Sequence, residues 1–354
     1  MNLLQMAMWV KRQIFMKSKC DKDSQLSKQI VQWYRKNGRS ELPWRKNVTA
    51  YRVWISEIML QQTQVKTVIP FFKKFIGKYP NLKSLSTATE EEILALWTGL
   101  GFYRRAINIY KAKEIILSDF KNRFPKSFND IVKLPGIGES TAGAIMSIAY
   151  QIPYPILDAN VKRVISRYES VDSNATHKSN KKLWALSSKH TPDNNIFSYT
   201  QGIMDLGATI CHNSKPDCAI CPLQKDCKGA FKIKSVKREI KKQNPTKKIN
   251  YALARSRDSF LLFKKLEKSF WEGLWTPLEL NSIDPFPWKD DIEVLEEISL
   301  KHKLSHLNLD IKISIYSYEK IFKLKTNKKY EWINKSNIHK YGMPKPIKSI
   351  IEKL

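Results

Sequence analysis

The spacing of the apolar residues changes once along the chain, and that change limits the possible folds more than any other feature. From Ser24 to about Cys227 they recur at helical spacing. Leu26, Ile30, Val31 and Tyr34 share one face of a first helix, which Asn37-Gly38 ends. Further helices are expected over 53–64, over 65–75 with a break around Gly77 and Pro80, and over 89–97, 103–120, 141–150 and 160–168. No convincing alternating strand precedes residue 230, so this part reads as all-α. Beyond 248 the period falls to two. Segments 251–255, 259–264, 311–318 and 330–333 alternate, and 345–354 reads as a closing helix, which makes a small α+β domain.

Between the two regimes, residues 228–248 hold nine basic residues, one acidic residue and Pro245, the composition of a solvated linker. The expected organisation is a poorly ordered extension over 1–23, a helical domain over 24–230, a basic linker over 231–248 and the α+β domain over 249–354. The extension begins with apolar residues 1–10, and Lys11 and Arg12 follow them, the reverse of a signal peptide. No apolar run approaches the ~20 residues of a membrane span. The function of 1–23, including Cys20, is not readable.

Lys and Arg total 62 against 33 Asp and Glu, a formal charge of +29. Only 13 of the basic residues are Arg, and a lysine-heavy excess of that kind can come from an AT-rich genome. The summed field still attracts a polyanion, and nucleic acid is the expected partner. Four of the five cysteines fall between 211 and 227, which suits one ligated site in a reducing, cytoplasmic compartment better than a disulfide framework.

Those four, Cys211, Cys218, Cys221 and Cys227, are separated by six, two and five residues. All-thiolate ligation suits a [4Fe–4S] cluster or a structural zinc, and the spacing alone leaves both open, along with unliganded thiols. Pro216 and Pro222 stiffen the loop, and Lys215, Lys225 and Lys228 could face phosphate. Leu134-Pro135-Gly136-Ile137-Gly138 leads into a helix near Ser140-Thr141. Its backbone N–H groups can hold an anion, although an ordinary interhelical turn has the same composition. Glu57 lies within the apolar stretch Trp54-Ile55-Ser56-Glu57-Ile58-Met59-Leu60. Buried there, it would have a raised pKa and could act as a general acid; the alternative is a Glu on the helix surface. Asp158, before Ala159-Asn160, could be a plain N-cap. Two carboxylates in different settings are also what glycosidic cleavage requires.

In this order, these pieces resemble the helix-hairpin-helix DNA glycosylases that carry a four-cysteine iron–sulfur loop, and within them the adenine DNA glycosylase (MutY) family. The stretches that carry the resemblance are LPWRKN (42–47), WISEIMLQQTQV (54–65), LWTGLGFYRRA (96–106), LPGIGESTAGAI (134–145) and PILDANVKRV (155–164). The resemblance is dense over 25–230. It implies a [4Fe–4S] cluster on the four cysteines, a hairpin that grips DNA through Gly136 and Gly138, and excision of adenine mispaired with 8-oxoguanine or guanine in double-stranded DNA. It implies Glu57 as general acid, Asp158 as the carboxylate that stabilises the charged sugar, and Asn160 as its supporting amide. Trp44 and Arg45 would line the pocket of the flipped base. Gln62 would wedge into the duplex, with Phe102 where the family usually has Tyr. Lyases of the superfamily place a Schiff-base Lys where this chain has Ser140, so a monofunctional glycosylase is implied; Lys133 and Lys162 leave room for weak nicking.

The C-terminal domain resembles the family's Nudix-like module. Trp271-Glu272-Gly273-Leu274-Trp275 fits its Gly-Leu-Trp segment, and Ser305-His306 fits its lesion-reading loop, with Leu304 in place of Phe. No full Nudix acidic motif is present, so nucleotide hydrolysis is not expected. A glycosylase for oxidised pyrimidines or mispaired thymine is the same-class alternative, and a non-catalytic iron–sulfur DNA-binding protein the other. One monomer per lesion is expected, and no protein partner can be read.

Overall fold

The computed structural model describes residues 23–172, 176–232, 244–267, 269–280, 294–324, 326 and 328–354. Its α-helices are α1 (Gln25–Asn37), α2 (Ala50–Leu60), α3 (Val65–Lys78), α4 (Leu82–Ser86), α5 (Glu90–Trp97), α6 (Arg104–Asp119), α7 (Phe128–Ile131), α8 (Glu139–Ala149), α9 (Ala159–Glu169), α10 (His177–His190), α11 (Ile196–Thr209) and α12 (Lys345–Lys353). The strands are β1 (Thr246–Ser256), β2 (Ser259–Lys264), β3 (Trp275–Thr276), β4 (Leu278–Glu279), β5 (Val294–Lys303), β6 (Asn308–Ser317) and β7 (Tyr330–Asn334). Among the described residues no helix is long and apolar enough to cross a membrane.

By compactness the chain divides into two units, one of residues 1–83 and 114–239, the other of 84–113 and 240–354. Residues 84–113, which hold α5 and the start of α6, thus group with the sheet, although their helical pattern continues that of the first two hundred residues. The expected extension and the core of the linker (233–243) lie outside the described residues, and β1 begins at Thr246, inside the stretch read as linker.

In the helical unit the caps follow local chemistry. The Ser24 hydroxyl accepts the Ser27 N–H at 3.2 Å to open α1, and Gly38 closes it. The break expected around Gly77 and Pro80 falls at the proline. Helix α3 runs through Gly77 to Lys78 and stops at Tyr79, because the residue before Pro80 is driven out of the helical region. Helix α8 is buried from Ala142 to Ile148 and forms the centre of the unit, against α2 and α11.

In the other unit the sheet order is β3-β2-β1-β6-β5, with β4 on β1 and β7 on β2. β1 and β6 are parallel, in the register Ile249↔Ile311, Tyr251↔Ile313 and Leu253↔Ile315; the other pairs are antiparallel. Those six residues are buried on one face, while Ala252 and Ala254 join Leu261, Phe263 and Leu278 on the other. Both faces of mid-β1 are covered, so its apolar run is continuous. β5 has no counterpart in the sequence reading. It pairs only with β6 among the described strands and has no buried residue, so its alternation is faint. Thr89 and Glu92 form a capping box on α5. Glu91 accepts bonds from Lys264 Nζ (2.9 Å), Trp275 Nε1 (2.9 Å) and the Gly342 N–H (2.6 Å), fixing α5 to β2, β3 and the turn before α12.

Candidate active site and cysteine loop

A cavity of about 220 Å³ in the helical unit is lined by Glu57 from α2, Ser140 from α8, Asp158 and Asn160 at the start of α9, and Gln201 from α11. One ordered water needs only ~10–15 Å³, so the space admits a much larger group. Trp44 and Arg45, in a single 3₁₀ turn, form part of its wall. The helix spacing that buries Trp54, Ile55, Ile58 and Met59 turns Glu57 to this cavity, not to the outer surface.

The two carboxylates have different surroundings. Burial, reinforced by the charge of Asp158 and opposed by Arg45, pushes the Glu57 pKa up to about 7. No hydrogen bond among the described residues reaches its carboxyl. Asp158 is the N-cap of α9 and accepts the N–H groups of Asn160 (2.7 Å) and Val161 (2.8 Å). Burial raises its pKa, and those two bonds with the Arg163 charge oppose the rise. Both carboxyls are thus raised by burial and differ in their partners: Asp158 accepts two backbone N–H groups, and for Glu57 only the charge of Arg45 opposes the rise. The N-cap and the carboxylate that lines the pocket are the same residue.

The Ser140 hydroxyl accepts the Leu157 N–H at 3.0 Å and so fixes the extended segment that delivers Asp158. Lys133 pairs with Asp130 and Lys162 with Asn180; neither lines the cavity. Asn160 is held by Arg163, whose Nη2 donates to Asn160 Oδ1 (2.8 Å) and to the Gly207 carbonyl (2.5 Å). A Cβ on Gly207 would stand 2.6 Å from Asn160 Cβ, so only glycine lets α11 approach α9 there.

Two wall residues, Arg39 and Gln201, and the buried Asp205 were not singled out in the sequence. Arg39 and Arg45 converge on Asp205, a fully buried carboxylate on α11. Arg39 donates from its N–H (3.1 Å), Nε (2.8 Å) and Nη2 (2.5 Å), and Arg45 from Nη1 (2.6 Å) and Nη2 (2.7 Å). Burial alone would raise the Asp205 pKa, but the bonds and charges of Arg45 and Arg39 outweigh it and hold the carboxyl below its ordinary range. Gln201 is only 4% exposed. The signal for both was the one used for Glu57, a polar residue inside an apolar helical stretch (Gly202-Ile203-Met204-Asp205-Leu206).

Gly136 has φ 81°, as the hairpin turn requires. Gly138 differs from the expected tight turn: it is the extended N-cap of α8, with open space where a Cβ would sit. A Ser or Asp there could cap the helix with its own side chain; glycine leaves the first N–H groups without that partner, which suits an external anion. Gln62 is exposed at φ 57°, just beyond α2, between the pocket residues Gln61 and Thr63.

Cys211, Cys218, Cys221 and Cys227 line one small, largely apolar cavity with Leu206, Ile210 and Leu223. No three His, Cys, Asp or Glu among the described residues converge as the ligands of a single ion would. Arg163 Nε donates to the Cys211 carbonyl (2.7 Å), and Arg167 Nη1 to Cys211 Sγ (3.3 Å) and the His212 carbonyl (2.6 Å). Helix α9 thus carries Asp158 at its start and grips the cysteine loop one and two turns later.

The remaining expected site residues lie in the sheet unit. Phe102, 42% exposed, precedes α6. Ser305 and His306 form the exposed tip of the β5–β6 hairpin, 3.3 Å apart through Oγ and Nδ1. The Leu304 N–H closes that turn on the Leu307 carbonyl (2.8 Å), so the backbone holds it without the missing Phe.

A family model described as HhH-GPD superfamily base excision DNA repair protein matches residues 55–189, and one described as NUDIX domain matches 250–353. The adenine DNA glycosylase of Buchnera aphidicola subsp. Acyrthosiphon pisum (strain APS) is 43% identical over 337 residues, which cover 92% of this chain and 96% of that protein. The Arabidopsis thaliana adenine DNA glycosylase is 32% identical over 291 residues, 70% of this chain and 46% of that one. Among solved structures, a thermostable thymine-DNA glycosylase superposes with TM-score 0.53 at 28% identity, covering 64% of this chain and 100% of that one. An endonuclease III–DNA complex, at TM-score 0.50 and 21% identity over 58% of this chain and 94% of that one, shares the fold. Fold and matches together define the class, a helix-hairpin-helix enzyme of base excision DNA repair with a Nudix-like domain after it. Within that class the chain belongs to the adenine DNA glycosylase family, at 43% identity over nearly its whole length.

Proposed function

We propose that this chain is a monofunctional glycosylase that hydrolyses the N-glycosidic bond of adenine mispaired with 8-oxoguanine or guanine in duplex DNA. The observation that carries the reading is the pairing of Glu57 and Asp158 in one pocket, one carboxyl poised to hold a proton near neutral pH and the other accepting two backbone N–H groups. The base must leave the stack to be reached, and the pocket between Trp44 and Gln201 receives it. The Gln201 amide offers both donor and acceptor to a purine edge. Glu57 gives its proton to a ring nitrogen of the base as the bond to the sugar carbon breaks. Asp158, held by the N–H groups of Asn160 and Val161, stabilises the cationic sugar. Water adds to that carbon, and its proton returns to Glu57. Ser140 has no amine to form an imine. Phe102, Gln62, Ser305 and His306 contact the duplex and the opposite base, and the formal +29 and the hairpin N–H groups bind phosphate.

The four cysteines fit a [4Fe–4S] cluster. The donor set is all cysteine, and the four residues line one small cavity held to α9 by Arg163 and Arg167. Bound there, the cluster supplies a rigid cross-link for the loop that Arg163 and Arg167 tie to α9. The enzyme acts as a monomer in a reducing, cytoplasmic setting.

The test is single-turnover release of adenine from a duplex that pairs it with 8-oxoguanine. Adenine is released, and the strand breaks only after alkali; no release from cluster-loaded protein overturns the substrate assignment, and breakage without alkali overturns the reading of Ser140. Iron and acid-labile sulfide come to about four each per chain. One zinc per chain in their place rules the cluster out.

A further inference from the structure

The loop that carries Phe102, between α5 and α6, is held in an unfavourable shape by its neighbours. Gly99 (φ 100°), Gly101 (φ 80°) and Phe102 (φ 51°) all have left-handed backbone, which a phenylalanine keeps only where its surroundings enforce it. Trp97 Nε1 (3.1 Å) and Arg105 Nη2 (3.0 Å) both donate to the Gly101 carbonyl. The Arg105 guanidinium lies 5.3 Å from the centre of the Phe102 ring. The other restraint comes from the far end of the chain. The Tyr103 hydroxyl accepts the Gly99 N–H at 3.2 Å and donates to the Met343 carbonyl at 3.1 Å. The N–H of Lys345, the first residue of α12, bonds the same hydroxyl. The Met343 N–H reaches Thr98 Oγ1 at 3.5 Å, and Glu91 holds Gly342. A half-exposed aromatic ring is thus presented by a loop whose backbone is tied, through one phenol, to the 342–345 turn of the Nudix-like domain.

We propose that Tyr103 is a positioning residue: its hydroxyl transmits the placement of the 342–345 turn to the Gly99–Gly101 backbone and so sets how Phe102 enters the duplex. The proposal rests on the reading of Phe102 as a residue that contacts the mispair. Phenylalanine at 103 keeps the ring and its packing but removes three hydrogen bonds, and the left-handed run loses the clamp at Gly99.

The test is a double-mutant cycle on the full-length, cluster-loaded protein. Binding to a duplex with 2′-fluoro-deoxyadenosine opposite 8-oxoguanine is measured for the parent, Tyr103→Phe, Phe102→Ala and the double variant. Expected is a threefold to tenfold weakening by Tyr103→Phe in the parent and no further weakening in the Phe102→Ala background. A purely structural phenol would cost the same in both backgrounds, so additive losses overturn the proposal. So does undiminished binding by Tyr103→Phe when Phe102→Ala binds more weakly. If Phe102→Ala itself binds as the parent does, the reading of Phe102 fails first and the proposal with it.

Discussion

Replacing Glu57 with Gln lowers single-turnover adenine release by about 10²–10⁴-fold, the range for loss of a positioned general acid. Gln has nearly the same shape and makes a buried carboxyl into a neutral amide, so the fold is not weakened. The cost of burying charge, which pushes Glu57 up to about 7, disappears. Duplex affinity and thermal midpoint therefore stay near those of the parent while chemistry is lost. The pH profile carries the same signature. Glu57 must be protonated to donate, and with a pKa of about 7 its protonated fraction is near one half at pH 7. Above that the fraction falls about tenfold per pH unit, so base release declines on the alkaline side with a midpoint near 7. At low pH the limb is set by Asp158, which must be ionised to face the cationic sugar. Unchanged release by Glu57→Gln, or an alkaline midpoint that stays near 7 in that variant, would remove Glu57 from the proton-donor role.

Asp205→Asn is expected to cost about 3–5 kcal/mol of stability, the range for breaking a buried ion pair from one side. The Asp205 side chain is fully buried and Arg45 is 4% exposed, so water cannot replace the lost charge. The asparagine offers one carbonyl oxygen where the carboxylate met five donors. Because Arg39 and Arg45 belong to the wall of the pocket, base release falls along with stability. Arg39→Met and Arg45→Met with Asp205→Leu, which removes the charges on both sides, should recover part of the stability but not the pocket. Chemical denaturation of the cluster-loaded protein provides the measurement. A loss under about 0.5 kcal/mol, the size of an ordinary surface substitution, would show that the triad is not holding the pocket wall.

The helices were readable where burial and capping agree locally. Leu26, Ile30 and Val31 lie on one buried face, Thr89 and Glu92 cap α5, and Asp158 caps α9. Glu57 was readable because a carboxylate within an apolar helical stretch is expensive unless something uses it. Its neighbours across the pocket were harder to find. Gln201 and Arg39 meet it only after α11 folds against α1, a contact that spans more than a hundred residues. Strand β5 escaped notice because its alternation, Ile298, Leu300 and His302 against Ser299, Lys301 and Lys303, covers only its second half and none of it is buried. Helix α3 overran its expected stop because a glycine in open solvent costs a helix only about 1 kcal/mol, whereas the proline that follows is a true barrier.

By itself the sequence determined the change from helix to sheet, the position of the cysteine loop and the identities of the two carboxylates, since periodicity, spacing and residue chemistry are local properties. The tertiary structure decided that the two carboxylates share one buried pocket, because that depends on helices from distant parts of the chain packing together and excluding water. It also decided that helix α5 and the Phe102 loop belong with the sheet. Three contacts to Glu91 and one phenol bonded to Met343 make that assignment, and they join residues about 170 to 250 positions apart, beyond the reach of any local pattern.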